Sequence, residues 1–297
     1  MSGTRDGMSL YDFIIAPFAD FGFMRRGLAG TLALALGATP MGTFLLLRRM
    51  SLMGEAMSHA ILPGAALGYL VSGLSLGAMT AGGLAAGLTV VFAAGLVART
   101  SNLKEDASLA AFYLLSLAAG VMIVSLSGRN LDLLRVLFGS VLALDDASLL
   151  LIAAIATLSL FGLALLLRPL TLECFDPAFL RAVSRTSPLA HYGFLLLTVL
   201  NLVSGFHALG TLMAVGIMIL PAASARLWTR GLPAMLALGS GLAFLGGAAG
   251  LLLSFHVDVP AGPAIILVCG FIYFVSLAAA PGGLLASRLP VHRHLSS

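Results

Sequence analysis

Charge is scarce in this chain: Asp, Glu, Lys and Arg make up 9% of its 297 residues, against about 25% in soluble domains. So little charge cannot cover a globule with polar surface, which excludes a water-soluble domain and makes lipid the solvent. Cysteine is almost missing, with two residues. Cys174 falls in a polar connection and Cys269 in an apolar run, so neither a disulfide nor a cysteine zinc site is expected. No basic patch with interleaved aromatics occurs, and the net charge of +4 therefore carries no signal for nucleic acid. No G-x-x-x-x-G-K-[ST] loop is present, so ATP hydrolysis is not expected of this chain. H-E-x-x-H, a Ser/His/Asp set and paired catalytic carboxylates are absent too, which leaves an enzyme or scaffold reading without support. Alternation of apolar and polar residues, the mark of a membrane β-barrel, is also lacking.

Apolar runs fill the space. Hydrophobic residues reach 60% and mean hydropathy is +1.06. Charge-free windows run over 27–47, 56–98, 107–128, 147–167, 186–225, 231–257 and 259–287. A spanning helix needs about 20 residues, so 56–98 and 186–225 each hold two, with turns expected at Ser72-Gly73 and Ser204-Gly205. The sum is an all-α, polytopic membrane helical bundle of about nine transmembrane helices, since open strands leave backbone groups unsatisfied in lipid. With the N-terminus outside and the C-terminus inside, eleven of the sixteen Lys and Arg residues lie in cytoplasmic segments, as the positive-inside bias requires. Residues 1–26 are too broken by Asp12 and Asp20 for a signal peptide or a span. Tyr11, Phe13, Ile14, Ile15 and Phe18 there suit an interfacial amphipathic segment. A single transmembrane domain over 27–287 follows, then a cytoplasmic tail at 288–297 in which His292 and His294 are solvated. Gly64-x-x-x-Gly68, Gly83-x-x-x-Gly87 and Gly246-x-x-x-Gly250 offer small faces for close helix packing.

Residues 51–66, SLMGEAMSHAILPGAA, open the longest charge-free run. Glu55 and His59, four apart, share one face of a helix. Both are good ligands for a first-row divalent cation, and ionisable groups at the edge of hydrocarbon mark functional sites. Pro63 lacks the N–H that would bond the His59 carbonyl, and interrupted helices of this kind line polar cavities in transporters. One reading is a transient cation site of Glu55, Ser58 and His59. The other pairs Glu55 with Arg48 or Arg49 in the headgroup region and leaves His59 to a neighbouring helix. Pro221 likewise removes the partner of the Ile217 carbonyl, and with no ligand within a turn it takes a helix-shaping role beside Pro63.

Two further regions carry polar chemistry. Asp176-Pro177 starts a short helix, with Asp as N-cap and Pro at the first position. It lies in a cytoplasmic segment, 174–188, flanked by Arg168 and Arg185. His256 and Asp258 lie in an outer loop before Pro260, where they could share an ion, although Asp258 could instead cap the last helix. His207, at the outer end of a span, fits a metal ligand or an interhelical hydrogen bond.

LLLRRMSLMGEAMSHAILPGAALGYLVSG at 45–73 resembles the membrane permease subunits of bacterial ABC importers for zinc, manganese and related divalent cations. GTLMAVGIMILPAASARLWTR at 210–230, HVDVPAGPAIILV at 256–268 and FDPAFLRAV at 175–183 resemble three further motifs of that family, in the same order. The family has Asp where this chain has Glu55. The resemblance implies a type II-like ABC importer permease in the bacterial inner membrane, working as a homodimer and holding no permanent cofactor. It implies transported Zn2+ or Mn2+, zinc first because imidazole is the softer partner. It also implies two partners: a cytoplasmic ATPase subunit, and an external metal-binding protein met by Arg129, Asp132, Arg135, Asp145 and Asp146. The 174–188 segment becomes the coupling helix that docks on the ATPase, Phe179 and Val183 facing it and Arg181 on the rim. Two alternatives stay open, a proton-coupled secondary metal transporter and a permease for metal chelates. The second fits poorly, because a chelate already satisfies its metal.

Overall fold

The structure is a computed structural model that describes residues 10–73, 75–101, 105–126, 141–175 and 187–283. Asp176, Pro177, Phe179, Arg181 and Val183 of the expected coupling segment lie outside these residues. So do Arg129, Asp132 and Arg135 of the outer loop and the two tail histidines.

Every regular element among the described residues is helical. Two short helices, α1 (Leu10–Ile14) and α2 (Ala16–Asp20), precede α3 (Gly22–Leu47). Next come α4 (Ser51–Ala60), α5 (Leu62–Ser72), α6 (Leu76–Thr100) and α7 (Glu105–Leu126). A 3-10 turn at Val141–Ala143 leads into α8 (Asp146–Phe175). The chain closes with α9 (Ser187–Leu209), α10 (Thr211–Trp228), α11 (Leu232–Val257) and α12 (Ala261–Ala279). Six of these helices are long and apolar enough to cross a membrane, and two shorter apolar ones lie at 107–123 and 214–228.

Helix α3 is the central pillar. It packs against α4, α8, α9, α10 and α11, and 72% of its apolar window is buried, against 28% for α8. Two ion pairs fix the direction of its neighbour. Arg26 near the start of α3 meets Asp146 at the start of α8 (3.7 Å), and Arg48 just past its end meets Glu173 near the end of α8. The two helices therefore run parallel. One end of the bundle gathers Arg26, Asp146 and His256; the other gathers Arg48, Glu173 and Arg226, whose guanidinium reaches the Leu46 carbonyl at 3.2 Å.

Several boundaries differ from the sequence expectation. The turn expected at Ser204-Gly205 lies instead at Gly210, whose φ of 81° suits glycine. Ser204 is buried inside α9, and Gly205 is a packing position where a methyl would stand 2.6 Å from the Ala214 Cβ. Helix α3 begins at Gly22 rather than 27, because Arg25 and Arg26 sit in its first turns, where long basic side chains reach the interface. Helix α8 likewise runs past Arg168 and Pro169 to Phe175, and α12 ends at Ala279 rather than 287. The glycine faces do what small residues allow. Gly64 on α5 and Gly82 on α6 bring two backbones so close that a methyl on either would strike the other's carbonyl.

Candidate cation site

Helices α4 and α5 are separated by Ile61 alone, which keeps α-helical backbone angles, φ −72° and ψ −30°, and Pro63 falls in the first turn of α5. The break is supported from outside. Ser116 on α7 donates its hydroxyl to the Ala60 carbonyl at 3.1 Å. At Pro221, α10 stays helical through the proline, and Thr39 on α3 donates to the Ile217 carbonyl at 3.3 Å. The Thr39 hydroxyl thus meets the carbonyl that Pro221 leaves over, as lipid demands, whereas Ser116 meets the carbonyl next to the one that Pro63 leaves over, that of His59.

Glu55 and His59 face one another across one turn of α4, with Oε1 and Nε2 3.8 Å apart. The Glu55 side chain is 59% exposed and that of His59 17%. The imidazole stacks against Tyr113 of α7 with ring centroids 6.1 Å apart. Its Nδ1 is buried and has no hydrogen-bond partner among the described residues, a state that costs about 1–3 kcal/mol. Donors about 2.0–2.2 Å from an ion need only a small swing of the exposed carboxylate to share one. Ser58 is buried, and its hydroxyl donates to the Glu55 backbone carbonyl at 2.8 Å. Arg48, one candidate partner for Glu55, is turned to Glu173 instead.

The other candidate ligands stand elsewhere. His207 at the end of α9 contacts the Thr80 hydroxyl of α6 at 2.9 Å. Thr80 spends its own proton on the Leu76 carbonyl, so His207 Nε2 is the donor in that contact. His256 stacks on Phe13 at 4.2 Å, and its Nε2 lies 2.9 Å from the Phe13 carbonyl. It therefore ties α1 to α11. Asp258 is exposed and closes α11 in the left-handed conformation, φ 56°; the N-cap of α12 is Pro260. Asp145 accepts the Ser148 N–H at 2.9 Å, and its hydrogen bonds to Ser148 hold the carboxyl below the usual range. Among the described residues no group of three or more His, Cys, Asp and Glu gathers as a metal cluster. Both cysteines are free.

A helix interrupted near a proline, carrying a Glu–His pair with one imidazole nitrogen unpartnered among the described residues, inside a polytopic bundle, is the setting in which the comparisons with known proteins fall. Residues 20–280 match the ABC 3 transport family. The chain belongs to that family. This bears out the resemblance to the membrane permease subunits of zinc/manganese-type ABC importers. A multi-pass inner-membrane location follows, with ATP hydrolysis on a separate subunit. The manganese import system permease protein ScaB of Streptococcus gordonii is 32% identical over 263 residues, covering 88% of this chain and 93% of that one. The manganese transport system membrane protein MntC of Listeria innocua serovar 6a is 32% identical over 270 residues, covering 90% and 95%. Among solved structures, PsaBC from Streptococcus pneumoniae in complex with Fab superposes with a TM-score of 0.80 at 28% identity, covering 92% of this chain and 97% of that one.

This ABC 3 permease also holds a polar cluster that sequence reasoning missed. Arg48, Glu173 and His191 meet at the far end of α3, from three different helical columns. Arg48 Nη2 pairs with Glu173 Oε1 and lies 3.1 Å from His191 Nδ1, while His191 Nδ1 is 3.5 Å from the same carboxylate oxygen. The signal was a lone Glu at the end of a long apolar run and a lone His early in the next. Neither stands near the other in sequence. Tyr113 and Ser116, the supports of the α4 site, gave no signal at all.

Proposed function

We propose that this permease carries a divalent transition-metal cation across the membrane along a path lined by Glu55 and His59, with manganese first and zinc second. The observation that supports it most is the Glu55–His59 pair beside the α4–α5 break, with one buried imidazole nitrogen unpartnered among the described residues. A ligand shell short of a closed structural site holds a cation weakly enough to release it, which conduction needs. A carboxylate oxygen and an imidazole suit manganese and zinc alike. The relatives named for manganese move that ion ahead of the zinc expected from the softness of imidazole.

In this reading the six long helices, the two shorter apolar ones and the α4–α5 pair make nine crossings. The end bearing Arg48, Arg226 and Arg230 faces the cytoplasm by the positive-inside bias. A second copy of the chain supplies further ligands, because Glu55 is exposed on this one. An external metal-binding protein delivers the ion. An ATPase subunit docks on 174–188, with Phe179 and Val183 as the apolar contact and Arg181 at the rim.

Proteoliposomes test this directly. With the ATPase subunit and the loaded binding protein, ATP is expected to drive accumulation of radioactive manganese. Metal flux driven by a proton gradient through this chain alone would instead establish the secondary-transporter alternative. Docking is tested by Phe179→Asp, which is expected to abolish recovery of the ATPase in pull-down; intact recovery would remove the segment from that role.

A further inference from the structure

We propose that Arg48, Glu173 and His191 form a joint that transmits movement of the 174–188 segment to α4 and its Glu55–His59 pair. The inference rests on the reading of 174–188 as the coupling segment. Glu173 lies on the stem that enters this segment and His191 on the stem that leaves it. Arg48 grips both: Nη2 pairs with Glu173 Oε1 and lies 3.1 Å from His191 Nδ1. A guanidinium can only donate, so His191 Nδ1 accepts. The guanidinium also stands 5.1 Å from the Phe194 ring centroid on the same outgoing stem.

The third connection is covalent. Arg48 caps α3, Arg49 and Met50 make the turn, and α4 starts at Ser51. The turn is stiff. Met50 N–H bonds the Leu45 carbonyl at 2.8 Å and Arg49 N–H the Leu46 carbonyl at 3.2 Å, the paired bonds of a Schellman motif. A pull on the Arg48 side chain is therefore carried by a short, hydrogen-bonded turn into the helix that bears Glu55.

Stability alone accounts poorly for this cluster. The Arg48 and Glu173 side chains are 7% and 9% exposed, and replacing such a buried pair by apolar residues is often neutral or stabilising. Arg48 Nη1 and Glu173 Oε2 are buried without partners among the described residues. An ion pair so placed, costly and with those two atoms unpartnered among the described residues, fits a contact that re-forms as the two stems move.

The test uses the complete transporter with its ATPase and binding protein, and reads metal moved per ATP hydrolysed. Arg48→Met/Glu173→Met replaces the ion pair by side chains of similar length. It is expected to keep ATPase association and basal hydrolysis while metal moved per ATP falls about tenfold, within the usual range of coupling effects. His191→Leu, which leaves the ion pair intact and so guards against failure to fold, is expected to lower the ratio in the same direction. His191→Gln, which retains an acceptor for Arg48, is expected to restore it. A folded, assembled His191→Leu or double-methionine variant with an unchanged ratio would overturn the joint. Failure of the coupling reading shows separately, as ATPase recovery that survives Phe179→Asp.

Discussion

Glu55–His59 and Glu173–His191 are the same two residue types at nearly the same separation, 3.8 and 3.5 Å, in the same half of the molecule. What differs is Arg48. Its permanent charge occupies the Glu173 carboxylate and the His191 nitrogen together. A dication placed about 4 Å from that guanidinium would meet a repulsion of about 8 kcal/mol at an effective dielectric of about 20. Among the described residues the pair on α4 has no such guest; its carboxylate is exposed and one imidazole nitrogen is left over. Ligand type and spacing therefore do not define a cation site. A resident guanidinium closes one pair and leaves the other as the candidate.

Removing the open pair is expected to have the largest effect. His59→Ala and Glu55→Ala are each expected to cut uptake of radioactive manganese or zinc by about 100-fold, at or beyond the top of the range seen when a ligand's support is lost. Normal uptake at normal expression would strike both residues from the path. At the closed cluster the same kind of truncation reads out as stability. Arg48→Met alone leaves Glu173 buried and uncompensated, and is expected to cost about 3–5 kcal/mol, measured by thermal unfolding in detergent. Adding Glu173→Met should return most of that loss. A single variant as stable as the parent would mean that Glu173 finds another cation.

How much of this was legible in the sequence follows from what each pattern encodes. Scarcity of charge and length of apolar run gave the all-helical bundle, because lipid leaves few other solutions. Glu55 and His59 were visible because i and i+4 on a helix fix a shared face before anything folds. Arg48–Glu173–His191 was not, because its members are brought together only by the packing of α3 against α8 and α9. Gly205 and Gly210 show a subtler limit. Both are glycines in one apolar window, yet one admits Ala214 and the other turns the chain. Composition does not distinguish a glycine chosen for lack of bulk from one chosen for its φ. The resemblance to a family carried the rest, and it reached the ATPase and the binding protein, about which helix geometry is silent.

Smaller effects test whether the two clusters are linked through backbone order. Ser116→Ala removes the hydroxyl that meets the Ala60 carbonyl and is expected to cost about 1 kcal/mol. It should also loosen the His59 helix, so uptake should drop more than the loss of stability alone implies. Wild-type uptake in a Ser116→Ala protein would show that the break at Ile61 holds itself.

The smallest expected change has the opposite sign. Arg49 sits between the closed cluster and the open pair at φ 59°, a conformation that costs a non-glycine residue about 1–2 kcal/mol. Arg49→Gly relieves it at the position where Schellman turns favour glycine. A gain of up to about 1 kcal/mol is expected, since part of the relief is offset by the greater freedom of glycine in the unfolded chain. Metal uptake then decides what the turn is for. If stiffness is all that passes between Arg48 and α4, Arg49→Gly should transport as well as the parent, because both turn hydrogen bonds are backbone to backbone. Greater stability with poorer transport would place the Arg49 side chain itself in the linkage.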